Sequence, residues 1–284
     1  MTLMPGMYFA MGIQVLQLVF AVKKLSMTFT RADKKLKRRQ LIQQAIDFRQ
    51  ATILEIGAFD NPTFMRHEAN VYYCDYFCKK ELVKQYGKSR PERVNNAVNV
   101  DYVTKDINFQ RHIEQKFDLI VANHVIEHTP NMIGWLQNLS LILKENGLLF
   151  LSVPHKEYTF DKLRSSTSAW ELIRNFEQNL QAPSIYQVAD QLYYHRPIKA
   201  KDVWQKKYQS LTNKKRFNNI KQAFERAKNK INKDKYVDTH CNVFTYKSFI
   251  QVFEELNKGN YISLSIVSSS NVEKLDNEFH VLLR

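Results

Sequence analysis

The sequence predicts an α/β protein with a doubly wound, mostly parallel sheet of the seven-stranded type. Three observations carry this prediction. Short apolar strands alternate with helical or loop segments from Ala51 to Val153, the alternation stops between His155 and His240, and a helix and two strands follow. Strands separated by crossover segments of this length form parallel sheets. The closing strands are near enough in sequence to pair, which predicts an antiparallel last strand and a helical insertion after the fifth strand.

Each element has a local signal. Gln40–Arg49 has the composition of a helix, and Asn131–Leu143 places apolar residues at helical spacing, with Gly147 expected to end that helix. A further helix is predicted over Thr245–Leu256. Apolar runs rich in β-branched residues predict the strands. These are Ala51–Ile56, Val71–Cys74, Val98–Val100, Phe117–Ala122, Leu148–Val153, Tyr261–Val267 and Glu278–Leu283.

The chain therefore divides into four segments. Residues 1–40 are apolar and then basic, and residues 41–154 form the first part of the α/β core. Residues 155–240 form a helical, basic insertion, and residues 241–284 return the chain to the core. With 284 residues, the protein is long enough for one sizeable α/β domain and an insertion.

The net charge of +14 lies in two stretches. Lys23–Arg39 carries eight basic residues against Asp33 alone, and Lys199–Lys235 carries thirteen against three acids. The rest of the chain is slightly acidic. Such stretches suit an anionic membrane surface, an acidic substrate or RNA, and are equally typical of a solvated helix face.

The N-terminal stretch Met4–Val22 is apolar but marginal for a membrane-spanning helix, and it lacks the features of a signal peptide. An interfacial anchor, a buried helix and a later start at Met27 all stay open. The three cysteines form no CxxC pair and no zinc-type spacing, so we predict no metal site and a reducing compartment. We expect a cytoplasmic protein, and association with the inner face of a membrane is a further hypothesis.

Polar residues follow the strands where an open parallel sheet binds ligands, at the carboxyl ends. Gly57 permits close approach of the backbone to a ligand. Asp75 can accept hydrogen bonds from two ribose hydroxyls, and Asp101 can receive an adenine amino group. The predicted ligand-binding residues at the four strand ends are Glu55, Gly57, Ala58, Asp75, Tyr76, Asp101, Tyr102, Asn123 and His124.

A nicotinamide dinucleotide is the obvious competing ligand, but its GxGxxG motif is absent because Gly57 is the only glycine in the first loop. Nothing else there brings backbone amides onto a pyrophosphate. A ligand with ribose and adenine but no phosphate fits better, and S-adenosylmethionine is such a ligand. A nicotinamide oxidoreductase is therefore a weak alternative.

Four segments also resemble a known family. LEIGAFDNP, VYYCDY, the run from FDLIVANHVIEHTP to NGLLFLSVP, and YTFDKLR are similar to class I S-adenosylmethionine-dependent methyltransferases, especially those associated with sugar, glycan or cell-surface biosynthesis. The resemblance implies cofactor contacts at Glu55, Gly57, Asp75, Asp101, Asn123 and His124. The chain departs from the family in its first loop, where Ala58 and Asp60 stand in place of further glycines.

Methyl transfer from a sulfonium is an in-line displacement that mainly requires positioning of the acceptor. His124, Glu127, His128 and His155 lie near the predicted tips of the fourth and fifth strands and are within reach as bases. We predict His124, His128 and His155 as catalytic candidates, against capping or structural roles for each.

The insertion is the predicted acceptor-binding element. Asp161 and Arg164 are expected to form an ion pair at its entry, and the aromatic and cationic run Tyr193–Arg196 suits carbohydrate or phosphate recognition, or else a small internal core. The function predicted is methyl transfer to an oxygen or nitrogen of a small-molecule or glycan-type acceptor. An RNA methyltransferase and an inactive scaffold at a membrane are the alternatives.

Overall fold

A computed structural model describes residues 29–233 and 236–284. The strands are β1 Thr52–Ile56, β2 Asn70–Asp75, β3 Tyr102–Val103, β4 Phe117–Asn123, β5 Leu143–Pro154, β6 Ile266–Ser270 and β7 Glu278–Leu283. They form one sheet in the order β3-β2-β1-β4-β5-β7-β6. The neighbours from β3 to β5 pair in parallel, whereas β7 is antiparallel to both β5 and β6. This order confirms the predicted fold class.

Helices cover both faces of this sheet. The helices are α1 Arg31–Gln43, α2 Lys79–Tyr86, α3 Pro91–Asn95, α4 Met132–Ile142, α5 Ala169–Glu177, α6 Ile185–Tyr194, α7 Ala200–Trp204, α8 Gln209–Thr212, α9 Ile220–Lys233 and α10 Tyr246–Lys258. One apolar layer joins the sheet to α4, α5 and α10, and the other joins it to α1. Short 3-10 turns are found at Phe109–Arg111, Ile126–His128 and Lys156–Tyr158.

The first helix begins earlier than predicted, at Arg31 instead of Gln40. A capping box starts it, because the Thr30 side chain accepts from the Asp33 amide while the Asp33 side chain accepts from the Thr30 amide. Before Ile42, its inner face buries Lys37 and Arg38 instead of an apolar stripe. Apolar periodicity therefore missed it.

The third strand was also misplaced. Val98 donates its amide to the Phe59 carbonyl and does not join the sheet, and only Tyr102–Val103 pairs with β2. Gly147 does not end α4 but lies inside β5, where a Cβ atom would stand 3.0 Å from the Phe117 carbonyl oxygen. The predicted strand Tyr261–Val267 is displaced to Ile266–Ser270.

The insertion is helical, as predicted, but its first helix packs with the main core. Ala169 and Leu172 of α5 belong to the apolar layer of α4 and α10. A separate small core joins α6 to α9 through Val188, Leu192 and Ala227. No helix among residues 29–233 and 236–284 combines the length and apolar character needed to cross a bilayer. The predicted apolar segment Met4–Val22 lies outside the described residues.

Candidate active site

A cavity of about 650 Å³ opens at the carboxyl ends of the parallel strands, beside the point where the strand order reverses between β1 and β4. This volume is typical of a site for a small organic ligand. The loops after β1, β2, β3 and β4 line it, together with α1 and two parts of the insertion, residues 181–183 and 236–238. The sheet and the insertion thus share one site.

Gly57 lies at the base of this cavity with a φ of +69°, a conformation that glycine adopts without strain. A Cβ atom at this position would stand 2.8 Å from Cγ2 of Val125. The loop therefore packs directly against the turn after β4, and Ala58 follows it in the cavity lining.

Glu55 and Asn123 hold the first loop in place. The buried Glu55 carboxylate accepts from the Thr63 amide at 2.7 Å and from the Phe64 amide at 3.3 Å. The Asn123 amide group donates to Oγ1 of Thr63 at 2.8 Å and to Glu55 at 3.3 Å. Burial outweighs these hydrogen bonds and raises the pKa of Glu55. Both residues line the cavity, but their polar atoms largely serve the protein itself.

Asp75 stands at the tip of β2 and lines the cavity. Its Oδ1 accepts from the Phe77 amide at 3.2 Å, and burial raises the pKa of its carboxyl group. The adjoining Tyr76 ring lies 4.6 Å from the Tyr236 ring of the insertion, centroid to centroid. The second strand and the insertion thus meet beside the Asp75 carboxylate, which can accept further hydrogen bonds.

Asp101 and Tyr102 do not line the cavity, so their predicted contact with a ligand is not supported by the structure. Asp101 precedes β3, where its Oδ2 accepts from Arg66 at 2.6 Å and from the Tyr73 amide at 2.7 Å. Tyr102 packs against Tyr72. Because β3 lies after Asp101, the tip of this strand is formed by Thr104, Lys105 and Asp106, all of which line the cavity.

His124 has a φ of +55° and turns the chain sharply after β4. Its Nε2 lies 2.6 Å from the carboxylate of Glu278, the first residue of β7. Arg38 of α1 donates to that carboxylate through Nε at 2.9 Å and Nη2 at 2.7 Å. Burial opposes a charge on His124, but the carboxylates of Glu127 and Glu278 outweigh it and raise the pKa of the imidazole.

Ion pairs hold the loop after β1, which departs from the family pattern. Asp60 accepts from Arg31 of α1 at 2.7 Å and from Arg93 of α3 at 2.5 Å. Burial of Asp60 disfavours its charge, but both guanidinium groups together lower its pKa. The residue that departs from the family pattern thus links the loop to two helices, and all three side chains line the cavity.

A family model described as a methyltransferase domain matches residues 29–194. The chain belongs to this family. Together with the strand order, the match shows a class I S-adenosylmethionine-dependent methyltransferase, and S-adenosylmethionine is its cofactor.

Individual relatives are distant. Methyltransferase calH of Penicillium decumbens is 31% identical over 123 residues, covering 38% of this chain and 33% of that protein. Ubiquinone biosynthesis O-methyltransferase of Coxiella burnetii is 24% identical over 124 residues, covering 43% and 51%. The chain thus spans a third to a half of the length of these curated relatives. An S-adenosylmethionine-dependent methyltransferase structure from Clostridium acetobutylicum aligns at a TM-score of 0.43 and 10% identity, over 95% of this chain and 98% of that one.

Three potential metal ligands of this methyltransferase converge beside the cavity. Glu127 and His128 lie in the turn after β4, and His240 lies in the segment that returns from the insertion. One ligand atom from each lies within 4.8 Å of the others. His240 is 112 positions from His128 in the sequence, so no local spacing reveals the cluster.

His155, in contrast, lies away from the cavity of the methyltransferase. Its Nδ1 accepts from the Glu157 amide at 3.3 Å, and its ring packs against Phe279 and Tyr158. Burial lowers the pKa of His155 to about 4. Its contacts are those of a capping and packing residue, and they do not place it as a catalytic group.

The insertion confirms one prediction and corrects another. Asp161 and Arg164 form the expected ion pair, with Nη1 and Oδ1 2.8 Å apart. Arg196 is buried and donates to the carbonyls of Tyr193, His195 and Thr212. Its guanidinium group is thus used inside the insertion, which contradicts a role in phosphate recognition.

Several cavity residues were missed by the sequence predictions. Arg31 and Arg38 were counted only within the basic stretch Lys23–Arg39, and Asp238 was not among the predicted ligand-binding residues. All three line the methyltransferase cavity. Glu278, which holds Arg38, is distant in sequence and carries no motif. A helix start signal at Thr30 was the one available clue to the two arginines.

Proposed function

We propose that this methyltransferase transfers a methyl group to an oxygen or nitrogen of a small-molecule or glycan-type acceptor, with the cofactor at the tips of β1, β2 and β4. One observation carries the proposal. A single cavity joins Gly57, Asp75 and His124 to residues 181–183 and 236–238 of the insertion. The donor and the acceptor can therefore meet inside it.

The adenosine half of the cofactor is proposed to lie between β2 and β3. Asp75 would accept hydrogen bonds from two ribose hydroxyls, since an ionised carboxylate makes stronger hydrogen bonds than a neutral acceptor. Thr104, Lys105 and Asp106 supply the strand-end groups that Asp101 does not. Tyr76 would cover the nucleoside from the insertion side, where it packs on Tyr236.

The methionine half is proposed to lie over Gly57, where the missing Cβ lets a ligand approach the backbone. Its carboxylate would be compensated by Arg31, whose side chain is 59% exposed while it contacts Asp60. Glu55 and Asn123 would act by holding this loop. Ala58 completes the lining.

The acceptor half is proposed to lie under the insertion, with residues 155–240 as the acceptor-binding segment. Holding the acceptor in line with the sulfonium can supply about 7–11 kcal/mol of barrier lowering. His124 and His128 are the cavity imidazoles placed to receive a proton from an acceptor hydroxyl or amine. Similarity to the C. burnetii O-methyltransferase supports an oxygen acceptor.

Calorimetry with S-adenosylmethionine tests the cofactor site. We expect Asp75→Asn to weaken affinity at least tenfold, or about 1.4 kcal/mol, through loss of charge-assisted ribose hydrogen bonds. Asp101→Asn is the matched control, because the sequence singles out both residues and only Asp75 lines the cavity. Equal affinities for the two folded variants would contradict the assignment.

The exposed basic residues of the insertion favour RNA as a second candidate acceptor. Lys201, Lys214, Lys215 and Lys221 are all exposed. An RNA methyltransferase would bind RNA with a steep dependence on salt concentration, because phosphate contacts release counterions. An inactive scaffold would instead fail to bind S-adenosylmethionine at millimolar concentration.

A cytoplasmic location remains part of the proposal. Cys74, Cys78 and Cys241 are free, and two of them are buried, as expected in a reducing compartment. Contact with a membrane would rest on residues 4–22. Flotation of anionic vesicles with the full chain, beside a chain that starts at Met27, tests that contact.

A further inference from the structure

We infer that Glu127, His128 and His240 form a binding site for one divalent transition-metal ion of the Zn²⁺ type at the acceptor end of the cavity. One ligand atom from each residue lies within 4.8 Å of the others. Nitrogen and oxygen ligands stand about 2.0–2.2 Å from Zn²⁺, which places them roughly 3–3.5 Å from each other. Shifts of about 1 Å in the side chains would close the site around an ion.

Glu127 supplies the first independent observation. Its side chain is 1% exposed, and within residues 29–233 and 236–284 neither carboxylate oxygen has a hydrogen-bond partner. The imidazole nitrogens nearest to Oε1 are Nδ1 of His124 at 3.5 Å and Nε2 of His128 at 3.8 Å. A buried carboxylate without hydrogen bonds is costly. A bound cation between Glu127 and the imidazoles would satisfy it.

The imidazoles of His128 and His240 supply the second independent observation. Nδ1 of His128 lies 3.1 Å from the Thr239 carbonyl oxygen, which can only accept, so this nitrogen carries the proton. Nδ1 of His240 lies 2.5 Å from Oδ2 of Asp161. In the neutral rings, both Nε2 atoms therefore present lone pairs. A carboxylate or carbonyl behind the far nitrogen is the arrangement that orients metal-binding histidines.

The backbone holds these residues together across the insertion. The Glu127 carbonyl accepts from the Cys241 amide at 2.6 Å and from the Asn242 amide at 3.0 Å. The Asn242 side chain donates to the Thr129 carbonyl at 2.7 Å. His240 is thus fixed beside Glu127 by hydrogen bonds that do not involve the ligand atoms. Such support keeps a site preorganised.

The ligand types select the ion. Two imidazoles and one carboxylate suit Zn²⁺, Co²⁺ or Fe²⁺, whereas Mg²⁺ and Ca²⁺ prefer sites made of oxygen. Three protein ligands leave at least one coordination position open, as in catalytic zinc sites. His128 and the adjoining Asp238 line the cavity, so the open position would face the acceptor.

A role for the ion rests on the proposed function, whereas the binding site does not. With the ion bound, His128 would be a ligand and could not also serve as the base, so an acceptor hydroxyl bound to the ion would lose its proton to solvent, and more readily because the cation lowers its pKa. The oxygen would then form a bond to the methyl carbon, and the electron pair of the broken carbon–sulfur bond would stay on sulfur. The products would be a methyl ether and S-adenosylhomocysteine.

Metal titration of the full chain without a polyhistidine tag tests the site. After removal of metal with a chelator, we expect Zn²⁺ and Co²⁺ to bind at one ion per chain in competition with a chromogenic chelator. Glu127→Gln and His240→Gln should weaken binding at least tenfold. His112→Gln and His155→Gln, which change one exposed and one buried histidine outside the cluster, should leave the affinity unchanged.

Absence of saturable binding by the wild type would overturn the site, and would mean that the imidazoles pair with Glu127 without a metal. Equal binding by Glu127→Gln would overturn it as well. The visible spectrum of Co²⁺ on the wild type needs no variant: intense four- or five-coordinate bands are expected, and the weak spectrum of the hydrated ion contradicts the site.

Binding of S-adenosylmethionine, measured on the same metal-free protein, separates the two proposals. We expect it to be retained, since none of the three ligands is assigned to the cofactor. Metal binding without cofactor binding would leave the metal site standing and contradict the proposed function. Cofactor binding without metal binding would overturn the metal site and leave the proposed function standing.

Discussion

Two stretches of this chain are almost equally basic in composition, yet the structure uses them in opposite ways. In residues 31–39, Lys37 and Arg38 are buried, and the cations of α1 contact Asp60, Glu68, Glu273, Asp276 and Glu278. In the described residues 199–233, nearly every lysine and arginine is exposed. Their carboxylate contact is Lys228 to Glu225 at 3.0 Å, with both side chains about half exposed.

The difference lies in the position of the acids. The carboxylates that pair with α1 come from the loop between β1 and β2, from the loop before β7 and from β7 itself, so α1 becomes a wall of the active-site cavity. The basic stretch of the insertion, residues 199–233, has its cations in solvent, where an ion pair contributes at most about 1 kcal/mol. Charge composition therefore indicates little about function until the partners of each cation are known.

The largest expected effect is on stability. Glu278→Ala leaves Arg38 without its buried partner, and breaking a buried ion pair costs about 3–5 kcal/mol of unfolding free energy. Glu225→Ala, the matched change in the outer basic stretch, should cost no more than about 0.5 kcal/mol. Urea unfolding measures both. Similar losses for the two variants would remove the contrast between the stretches.

A second prediction concerns acid. Burial disfavours the charge of Glu278, but Arg38, His124, His280 and Lys34 together hold its pKa well below the ordinary 4.5. A lowered carboxyl pKa contributes stability that is present above the unfolded pKa and is lost as pH falls through the folded one. Below pH 4.5, the wild type should therefore lose up to about 1.4 kcal/mol per pH unit more than Glu278→Gln. Parallel stability curves in this range would count against the ion network.

The smallest effect is expected for cofactor affinity. Arg31→Ala removes a cation from the proposed methionine end and should weaken binding of S-adenosylmethionine about fivefold, or about 1 kcal/mol. Lys215→Ala changes an exposed cation of the insertion and should leave calorimetric affinity unchanged. A matching loss in Lys215→Ala would place the cofactor near the insertion instead.

Much of the fold could be predicted because the decisive signals are local. The apolar run of β4 was bounded to within one residue, and β7 was placed correctly, since both are buried strands with clear ends. At β3 the local signal misled: Val98 and Val100 look like a strand, but only two later residues pair with β2. Asp101 was therefore assigned to a strand tip that Thr104, Lys105 and Asp106 form.

The site was less predictable than the fold, because many of its residues are brought together by contacts between distant parts of the sequence. Arg38 and Glu278 are 240 positions apart, and His240 reaches Glu127 only through the return of the insertion. The first turns of α1 escaped detection for a related reason, since the buried residues there, Lys37 and Arg38, are charged. Patterns of apolar periodicity contain no information about such partners.

Hydrogen exchange with and without saturating S-adenosylmethionine tests the central claim, that the cofactor lies at the strand tips, most directly. We predict slower amide exchange in residues 57–61, 75–77 and 123–125, with no change in residues 206–233. Protection confined to the insertion, with the strand tips unaffected, would contradict the location of the cofactor site.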